Sequence, residues 1–181
     1  MTPLQVHDKF FVPYLSEQTI HDRIRELSSQ IDAEYRGKRP LFIAILNGSF
    51  MFAADLFKHI SIEAEICFIK LASYKGTKSS GQVVTAIGLD TDIVDRHVVV
   101  LEDIIDTGKT MHEFLPQLQN QHPASLKLAA LLHKPEATVH PVVIHYLGFS
   151  VPDKFLLGYG LDYDGLGRNI REIYQLTDAP H

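Results

Sequence analysis

Short apolar runs separated by helical patterns dominate the sequence and predict its architecture. The clearest helix spans residues 16–36, where Ser16 is a candidate cap and Gly37 and Pro40 end the pattern. Apolar residues recur in it at helical spacing and form one stripe: Ile20, Ile24, Leu27 and Ile31. We therefore expect this helix to bury one face against a sheet.

Buried β-strands are predicted where apolar, often β-branched residues stand together. Such runs occupy residues 41–46, 66–71, 97–101, 126–132 and 142–147, and a further β segment is predicted at 82–87. Strands that alternate with helices predict an α/β fold with a mostly parallel twisted sheet flanked by helices. Ligands of such sheets bind at the carboxyl ends of the strands.

Two further helices are predicted between these strands. The helix at roughly 50–59 carries the apolar residues Phe50, Ala54 and Phe57. The helix that begins after residue 110 contains Pro116. Because an interior proline lacks a backbone N–H, we expect a kink or an irregular first half there.

Composition and charge narrow the class of protein. The 181 residues suffice for one domain, 1–181, with a substantial core, and a net charge of −5 argues against nonspecific nucleic-acid binding. No apolar run approaches the ~20 residues of a membrane span, and the N-terminal segment lacks a secretory pattern. The single cysteine, Cys67, cannot form an internal disulfide. We therefore expect a cytoplasmic protein.

Candidate chemistry is concentrated in residues 97–111, HVVVLEDIIDTGKTM. Glu102 and Asp103 follow a buried strand at once, and the small polar turn 106–110 leads into a helix. Such a turn offers backbone N–H groups and hydroxyls to an anion such as phosphate. Carboxylates beside a phosphate repel it unless they face a cation or sugar hydroxyls. We interpret the segment as a site for a phosphorylated sugar with Mg2+.

Other interpretations of this segment are weaker. A nucleotide-binding P-loop also ends in Gly-Lys-Thr, but it requires glycine where this chain has Asp103. An aspartyl-phosphate nucleophile is conceivable at Asp106, yet nothing else indicates a large ATPase. A plain surface turn after a core strand is the remaining structural alternative.

The run VVVLEDIIDTGKTM resembles the phosphoribosyl-pyrophosphate signature of the type I phosphoribosyltransferases, and EDIIDTG is similar to their hypoxanthine-guanine branch in particular. The resemblance extends from about residue 9 to residue 174. It implies the type I phosphoribosyltransferase fold, with a core at about 38–146. A small hood would then be built from residues 1–37 and 147–181.

Within the signature, the resemblance implies a role for each polar residue. Glu102 and Asp103 would handle the ribose hydroxyls and reach Mg2+. Asp106 would be the catalytic residue that faces purine N7 and takes or holds a proton. The 5′-phosphate would lie against the turn formed by Thr107, Gly108, Lys109 and Thr110.

Two loops complete the expected phosphoribosyl site. Leu46, Asn47 and Gly48 resemble the pyrophosphate loop, with a cis peptide bond between Leu46 and Asn47. Many relatives have Lys or Arg where this chain has Asn47, which leaves the pyrophosphate contacts to backbone amides. Ser73 and Tyr74, with the polar stretch after them, resemble the flexible catalytic loop that excludes water.

The base site is also implied by resemblance. Lys134 would donate a hydrogen bond to the 6-oxo group of a purine. Adenine has an amino group at that position, which cannot accept this bond. Tyr146 would stack on the purine, and Leu147 would offer its backbone carbonyl. Asp153 would bind Mg2+ near the exocyclic position, while Arg168 would have a structural role.

The resemblance implies a purine salvage transferase. It would convert hypoxanthine or guanine and phosphoribosyl pyrophosphate to the nucleoside 5′-monophosphate and pyrophosphate, with Mg2+, as a homodimer or homotetramer. Two alternatives stay open: a regulator of the same fold that binds phosphoribosyl pyrophosphate or nucleotides without catalysis, and a transferase for another base. The sequence does not decide whether guanine or xanthine is used beside hypoxanthine.

Overall fold

The computed structural model describes residues 2–74 and 83–178. Its strands are β1 Leu4–Val6, β2 Lys9–Leu15, β3 Leu41–Leu46, β4 Glu65–Tyr74, β5 Val83–Ile87, β6 His97–Ile105, β7 Ser125–His133, β8 Tyr146–Ser150, β9 Leu156–Leu157 and β10 Ile173–Thr177. Its α-helices are α1 Glu17–Tyr35, α2 Phe50–His59 and α3 Lys109–Gln119.

The larger sheet has six strands in the order β5-β4-β3-β6-β7-β8. Its neighbouring strands pair in parallel, except that β4 and β5 pair antiparallel. Helices α1 and α2 pack on one face of this sheet, and α3 packs on the other. The predicted α/β fold with a mostly parallel sheet is therefore confirmed.

Helix α1 forms where the apolar stripe predicts it. The Ser16 hydroxyl accepts a hydrogen bond from the backbone N–H of Thr19 at 3.1 Å, which caps the helix. All four stripe residues are fully buried: Ile20, Ile24, Leu27 and Ile31. Gly37 follows the helix with φ +74°.

Of the three apolar residues named for α2, Phe57 packs against the core and meets the ring of Phe42, whereas Phe50 is 39% exposed and Ala54 is exposed. The fully buried residues of the helix are Phe52, Ala53 and Leu56. The segment FMFAADLF carries apolar residues on more than one side, so its pattern admits several rotations of the helix. The Ser49 hydroxyl, which donates to the Ile45 carbonyl at 2.5 Å, ties the start of α2 to β3 and selects one rotation.

Strand β8 begins later than the predicted strand at 142–147. Val143 is 70% exposed, and regular pairing starts at Tyr146 opposite Ala129. The His145 backbone N–H donates to the Leu128 carbonyl at 2.8 Å, and its ring Nδ1 accepts from the Leu128 N–H at 3.1 Å. The His145 ring thus accepts the Leu128 N–H bond that a backbone carbonyl of β8 would otherwise accept. Regular pairing of β7 with β8 therefore starts one residue later.

Helix α3 runs from Lys109 to Gln119 through Pro116. The His112 N–H already donates to the Gly108 carbonyl at 2.9 Å, so the irregular first half is not found. The kink remains a prediction. No helix in the ranges 2–74 and 83–178 has the length and apolarity needed to cross a membrane.

A smaller antiparallel sheet, in the order β1-β2-β10-β9, joins the two ends of the described chain. Its strands come from residues 1–37 and 147–181, the two ranges predicted to form the hood, and those boundaries stay a prediction. Helix α1 packs into the core of the large sheet, and β8 belongs to that sheet. The hood in the structure consists of the segments around β1, β2, β9 and β10.

Candidate active site

The carboxyl ends of three parallel strands meet at one edge of the large sheet. Strand β3 ends at Leu46, β6 at Ile105 and β7 at His133. The loops that follow carry the predicted pyrophosphate loop, the signature turn and Lys134. The parallel order β3-β6-β7 therefore brings these segments together, as the sequence predicts.

The signature turn encloses a small polar cavity of about 100 Å3. Its lining is the signature itself: Glu102, Ile104, Ile105, Asp106, Thr107, Gly108, Lys109, Thr110 and Met111. Gly108 has φ +81°, and a Cβ there would lie 2.0 Å from the carbonyl oxygen of His140. The Thr107 carbonyl accepts from the N–H groups of Val139 and His140 at 3.0 and 2.9 Å. Residues 139–140 thus hold the turn by hydrogen bonds on one side. The turn also lines a cavity at the N-terminus of α3, where an anion is favoured.

The two adjacent carboxylates have different surroundings. Glu102 is 8% exposed, and its Oε1 accepts from the N–H of Asp103 at 3.1 Å. Asp103, the next residue of β6, is half-buried, and its Oδ1 accepts from the N–H of Ile104 at 2.8 Å. Burial raises the pKa of Glu102 well above its ordinary value, and the Asp103 carboxylate adds to the rise. The pair therefore carries less negative charge than two free carboxylates.

Glu102→Gln is expected to raise the free energy of unfolding near pH 7 and to leave it nearly unchanged near pH 4. The unfolded chain releases the Glu102 proton around the ordinary pKa of 4.5, whereas the folded carboxyl keeps it to higher pH. Wild-type stability therefore falls as the pH rises above that value, and glutamine removes this loss. Thermal unfolding in Mg2+-free buffer at both pH values measures the difference, with Glu136→Gln at an exposed position as the control. Equal shifts at both pH values would contradict the assignment.

The predicted pyrophosphate loop lies directly against Asp103. The Leu46–Asn47 peptide bond is cis, as the resemblance implies. A Cβ at Gly48 would lie 1.6 Å from Asp103 Oδ2, so only glycine allows this approach. Gly48 also contacts the hood, because a Cβ at Gly160 would lie 2.1 Å from the Gly48 carbonyl oxygen.

A second cavity, of about 170 Å3, lies between the signature and the hood. Its lining combines acidic, basic and apolar side chains: Asp103, Ile104, Asp106, Lys134, Phe155, Leu156, Leu161, Asp162 and Arg168. Lys134 is 7% exposed, and its Nζ lies 3.1 Å from Asp106 Oδ2 and 3.7 Å from Asp153 Oδ1. A nearly buried ammonium group is thus available at the wall of this cavity.

The structure does not bring Tyr146 and Leu147 to the site. Tyr146 is buried in the core, and its hydroxyl donates to Glu34 of α1. It pairs with Ala129 in the middle of β7, below the carboxyl end where Lys134 follows. The Leu147 carbonyl accepts from Arg23 at 2.7 Å. Both predicted base contacts are therefore corrected, because the ring is in the core and the carbonyl already has a partner.

The cavity has instead a set of hood residues that the sequence did not single out for the base site. Phe155 is 43% exposed there, and its ring contacts Tyr163 edge-on at 5.7 Å. Asp162 lies 2.7 Å from Arg168, whose other nitrogen donates to the Gly160 carbonyl at 2.7 Å. The sequence signal that could have indicated Asp162 was the glycine-rich segment 158–167, because closely spaced glycines predict a tight loop around this acidic residue.

Two of the three predicted Mg2+ ligands fit such an ion. Across residues 2–74 and 83–178 no group of three or more His, Cys, Asp or Glu side chains could hold a metal ion. Mg2+ is usually bound by one or two carboxylates together with water and substrate oxygens. Glu102 and Asp103 match that donor set, and a cation would relieve their mutual repulsion. Asp153 does not match it, because it is 57% exposed beside the Lys134 ammonium, which repels a cation.

The predicted flexible loop is only partly described. The backbones of Ser73 and Tyr74 end β4 and pair with Val84 and Val83 of β5. Residues 75–82, which follow them, lie outside the described residues.

The known proteins that this chain is similar to are phosphoribosyltransferases. Residues 14–164 match the family model described as "Phosphoribosyl transferase domain". The hypoxanthine-guanine phosphoribosyltransferase of Lactococcus lactis is 41% identical over 157 residues, 86% of this chain and 85% of that protein. The hypoxanthine-guanine-xanthine phosphoribosyltransferase of Tritrichomonas foetus is 39% identical over 180 residues, 99% of this chain and 98% of that protein.

Solved structures are similar over the same extent. A hypoxanthine phosphoribosyltransferase from Staphylococcus aureus superposes with a TM-score of 0.85 at 36% identity, covering 92% of this chain and 91% of that one. A hypoxanthine-guanine phosphoribosyltransferase from Bacillus anthracis gives a TM-score of 0.83 at 36% identity, covering 91% of this chain and 96% of that one.

Proposed function

The chain belongs to the phosphoribosyl transferase family, and from this premise we propose the reaction that its site carries out. It is a phosphoribosyltransferase of purine salvage. Its substrates would be phosphoribosyl pyrophosphate and a 6-oxopurine, hypoxanthine or guanine, and its products the nucleoside 5′-monophosphate and pyrophosphate. Relatives with names of this type, about 40% identical over most of the chain, support the proposal.

One observation carries the proposal furthest: Asp106 lines both cavities. One cavity is polar and lies at the N-terminus of α3, which suits the 5′-phosphate. The other is bordered by Phe155 and the Lys134 ammonium, which suits a planar base with a carbonyl group. A ribose that joins a phosphate to a base would span the two, with its C1′ near Asp106.

The reaction breaks the C1′–oxygen bond to pyrophosphate and forms the bond from C1′ to purine N9. Positive charge develops on the ribose, so fixed negative groups around it lower the barrier. Asp106 would take or hold the proton lost from the attacking purine. Glu102 and Asp103 would bind the ribose hydroxyls. Mg2+, held by these two carboxylates, would supply charge neutralisation for the leaving group.

Base selection would rest on Lys134. An ammonium group donates hydrogen bonds and accepts none, so it suits the 6-oxo group of hypoxanthine or guanine. The amino group of adenine at that position is also a donor, so it would meet the lysine ammonium without forming a hydrogen bond, which is costly. Phe155 would stack on the purine face.

The testing experiment offers hypoxanthine, guanine, xanthine and adenine separately with phosphoribosyl pyrophosphate and Mg2+, and follows nucleotide formation by absorbance. We expect turnover of hypoxanthine and guanine and none of adenine. Turnover of adenine alone would assign the chain to another base. Binding of phosphoribosyl pyrophosphate without turnover of any base would favour a regulator.

Phe155→Leu is expected to raise the KM for hypoxanthine about tenfold, since base–aromatic stacking contributes on the order of 1–3 kcal/mol. Tyr146→Phe should leave this KM nearly unchanged and lower the free energy of unfolding by about 1 kcal/mol, because it removes the bond to Glu34. Steady-state kinetics and thermal unfolding of both variants measure the two effects. The opposite pattern would restore Tyr146 as the stacking residue.

Assembly and compartment are further parts of the proposal. Large apolar side chains are exposed on α2, β4 and β5 at Phe50, Phe68 and Ile87, with 39%, 43% and 53% exposure. Burial of these side chains against a second copy would support a homodimer or homotetramer. The single cysteine supports a reducing compartment, which we propose to be the cytoplasm.

A further inference from the structure

Asp55 on α2 links this helix to α1 and to the hood, and it lines neither cavity. Its side chain is 16% exposed. Oδ2 accepts from the Tyr159 hydroxyl at 2.5 Å and lies 3.3 Å from His21 Nε2 of α1, while Oδ1 lies 2.5 Å from Lys58 Nζ. Burial opposes ionisation, but the bonds from Lys58 and Tyr159 outweigh it and lower the pKa of Asp55. The carboxylate is therefore a charged acceptor for a hood side chain.

Tyr159 has a left-handed backbone conformation, which a bulky side chain disfavours. Its φ is +49°, a left-handed value that is uncommon for a bulky residue. Such a conformation persists only where the surrounding structure enforces it. Tyr159 is 2% exposed and is held at both ends: the hydroxyl by Asp55, and the backbone N–H by the Ile170 carbonyl at 2.7 Å.

The next residue transmits this position to the pyrophosphate loop. Gly160 packs on Gly48 backbone to backbone, with room for no Cβ between them. Gly48 in turn lies against the Asp103 carboxylate. Gly48 is thus in close contact with both Asp103 and Gly160, and the position of Gly160 is restricted by the adjacent Tyr159.

We propose that Asp55 is a positioning residue that, through the Tyr159 hydroxyl, holds Gly160 against Gly48 and so sets the pyrophosphate loop for its ligand. The inference rests on the proposed function, in which loop 46–48 receives pyrophosphate. Because position 47 is Asn and not a basic residue, pyrophosphate binding would depend on the backbone amides of the loop. Such amides bind an anion well only when their orientation is fixed, so the position of the loop matters more.

The test compares how tightly two probes bind to the full chain. Tyr159→Phe removes the bond to Asp55 and keeps the ring. Titration calorimetry with Mg2+ should show the Kd of pyrophosphate rising about tenfold, as expected for a displaced positioning group, with the Kd of inosine 5′-monophosphate nearly unchanged. Lys58→Gln is the matched control, because it removes an exposed partner of the same carboxylate without touching the hood. It should change neither Kd.

Asp55→Asn is the second variant, for the case that Tyr159→Phe does not fold. Its amide oxygen still accepts from the tyrosine hydroxyl, but more weakly, so the pyrophosphate Kd should rise by a smaller factor, about threefold. Kd values equal to those of Lys58→Gln, or equal rises for both probes, would overturn the inference. Wild-type protein that binds both probes but turns over no base would overturn the proposed function, while the Kd ratio would still decide the role of Asp55.

Discussion

Replacement of Gly108 by alanine should lower kcat/KM for phosphoribosyl pyrophosphate by more than about a hundredfold, because it displaces the groups that orient the 5′-phosphate. Gly108 has φ +81°, and the added Cβ would lie 2.0 Å from the carbonyl oxygen of His140. That oxygen belongs to backbone held by hydrogen bonds to Thr107, so it cannot move without moving the turn. The strain therefore falls on the phosphate cradle itself.

Gly37→Ala separates this clash from the conformational cost of a left-handed alanine. Gly37 has φ +74°, and nothing lies within 4 Å of an added Cβ. Its substitution should cost about 1 kcal/mol of stability and leave the kinetic constants unchanged. Steady-state kinetics and thermal unfolding of both variants measure the effects. Wild-type kcat/KM in Gly108→Ala would exclude the turn as the phosphate site.

Asp106→Asn should lower kcat about a hundredfold, the lower end of the range for loss of a general acid or base. Asp106 lines both cavities and is half exposed, so its carboxylate can meet a substrate while one oxygen stays paired with Lys134. Folding should change little, since Lys134 keeps the Asp153 carboxylate at 3.7 Å. Pre-steady-state and steady-state rates with hypoxanthine, together with thermal unfolding, measure the two effects.

Asp153→Asn provides the control for this variant. It removes the other carboxylate near Lys134, but Asp153 does not line either cavity. Its kcat should stay close to that of the wild type. An unchanged rate in Asp106→Asn would remove Asp106 from the mechanism, and a large loss in Asp153→Asn would return that residue to the site.

The sequence was most informative where a short segment carries its own structural signal. Strands β3, β6 and β7 are buried on both faces, so each is a continuous apolar run that is visible without knowledge of its neighbours. The signature turn is likewise local, because the residues that line its cavity are contiguous from Glu102 to Met111 apart from Asp103. The parallel order of the strands then brings the segments together by the general rule for α/β sheets.

The base site was assigned incorrectly because two segments look alike. Tyr146-Leu147 and Phe155-Leu156 are both an aromatic residue followed by leucine, and an aspartate follows each pair, Asp153 and Asp162. Nothing local distinguishes them. Arg23 of α1 occupies the Leu147 carbonyl, and Glu34 binds the Tyr146 hydroxyl, so only the second segment is left to face the cavity.

The sequence by itself thus determined the α/β class, the sheet edge where the predicted site segments meet and the turn of the signature, because each depends on contiguous residues and on the alternation of strands and helices. Only the tertiary structure decided the rotation of α2, the membership of the hood and the residues around the base. These depend on contacts between residues far apart in the chain, such as Tyr159 with Asp55 and Gly160 with Gly48. Such contacts have no period in the sequence, since they are selected by packing of the whole chain.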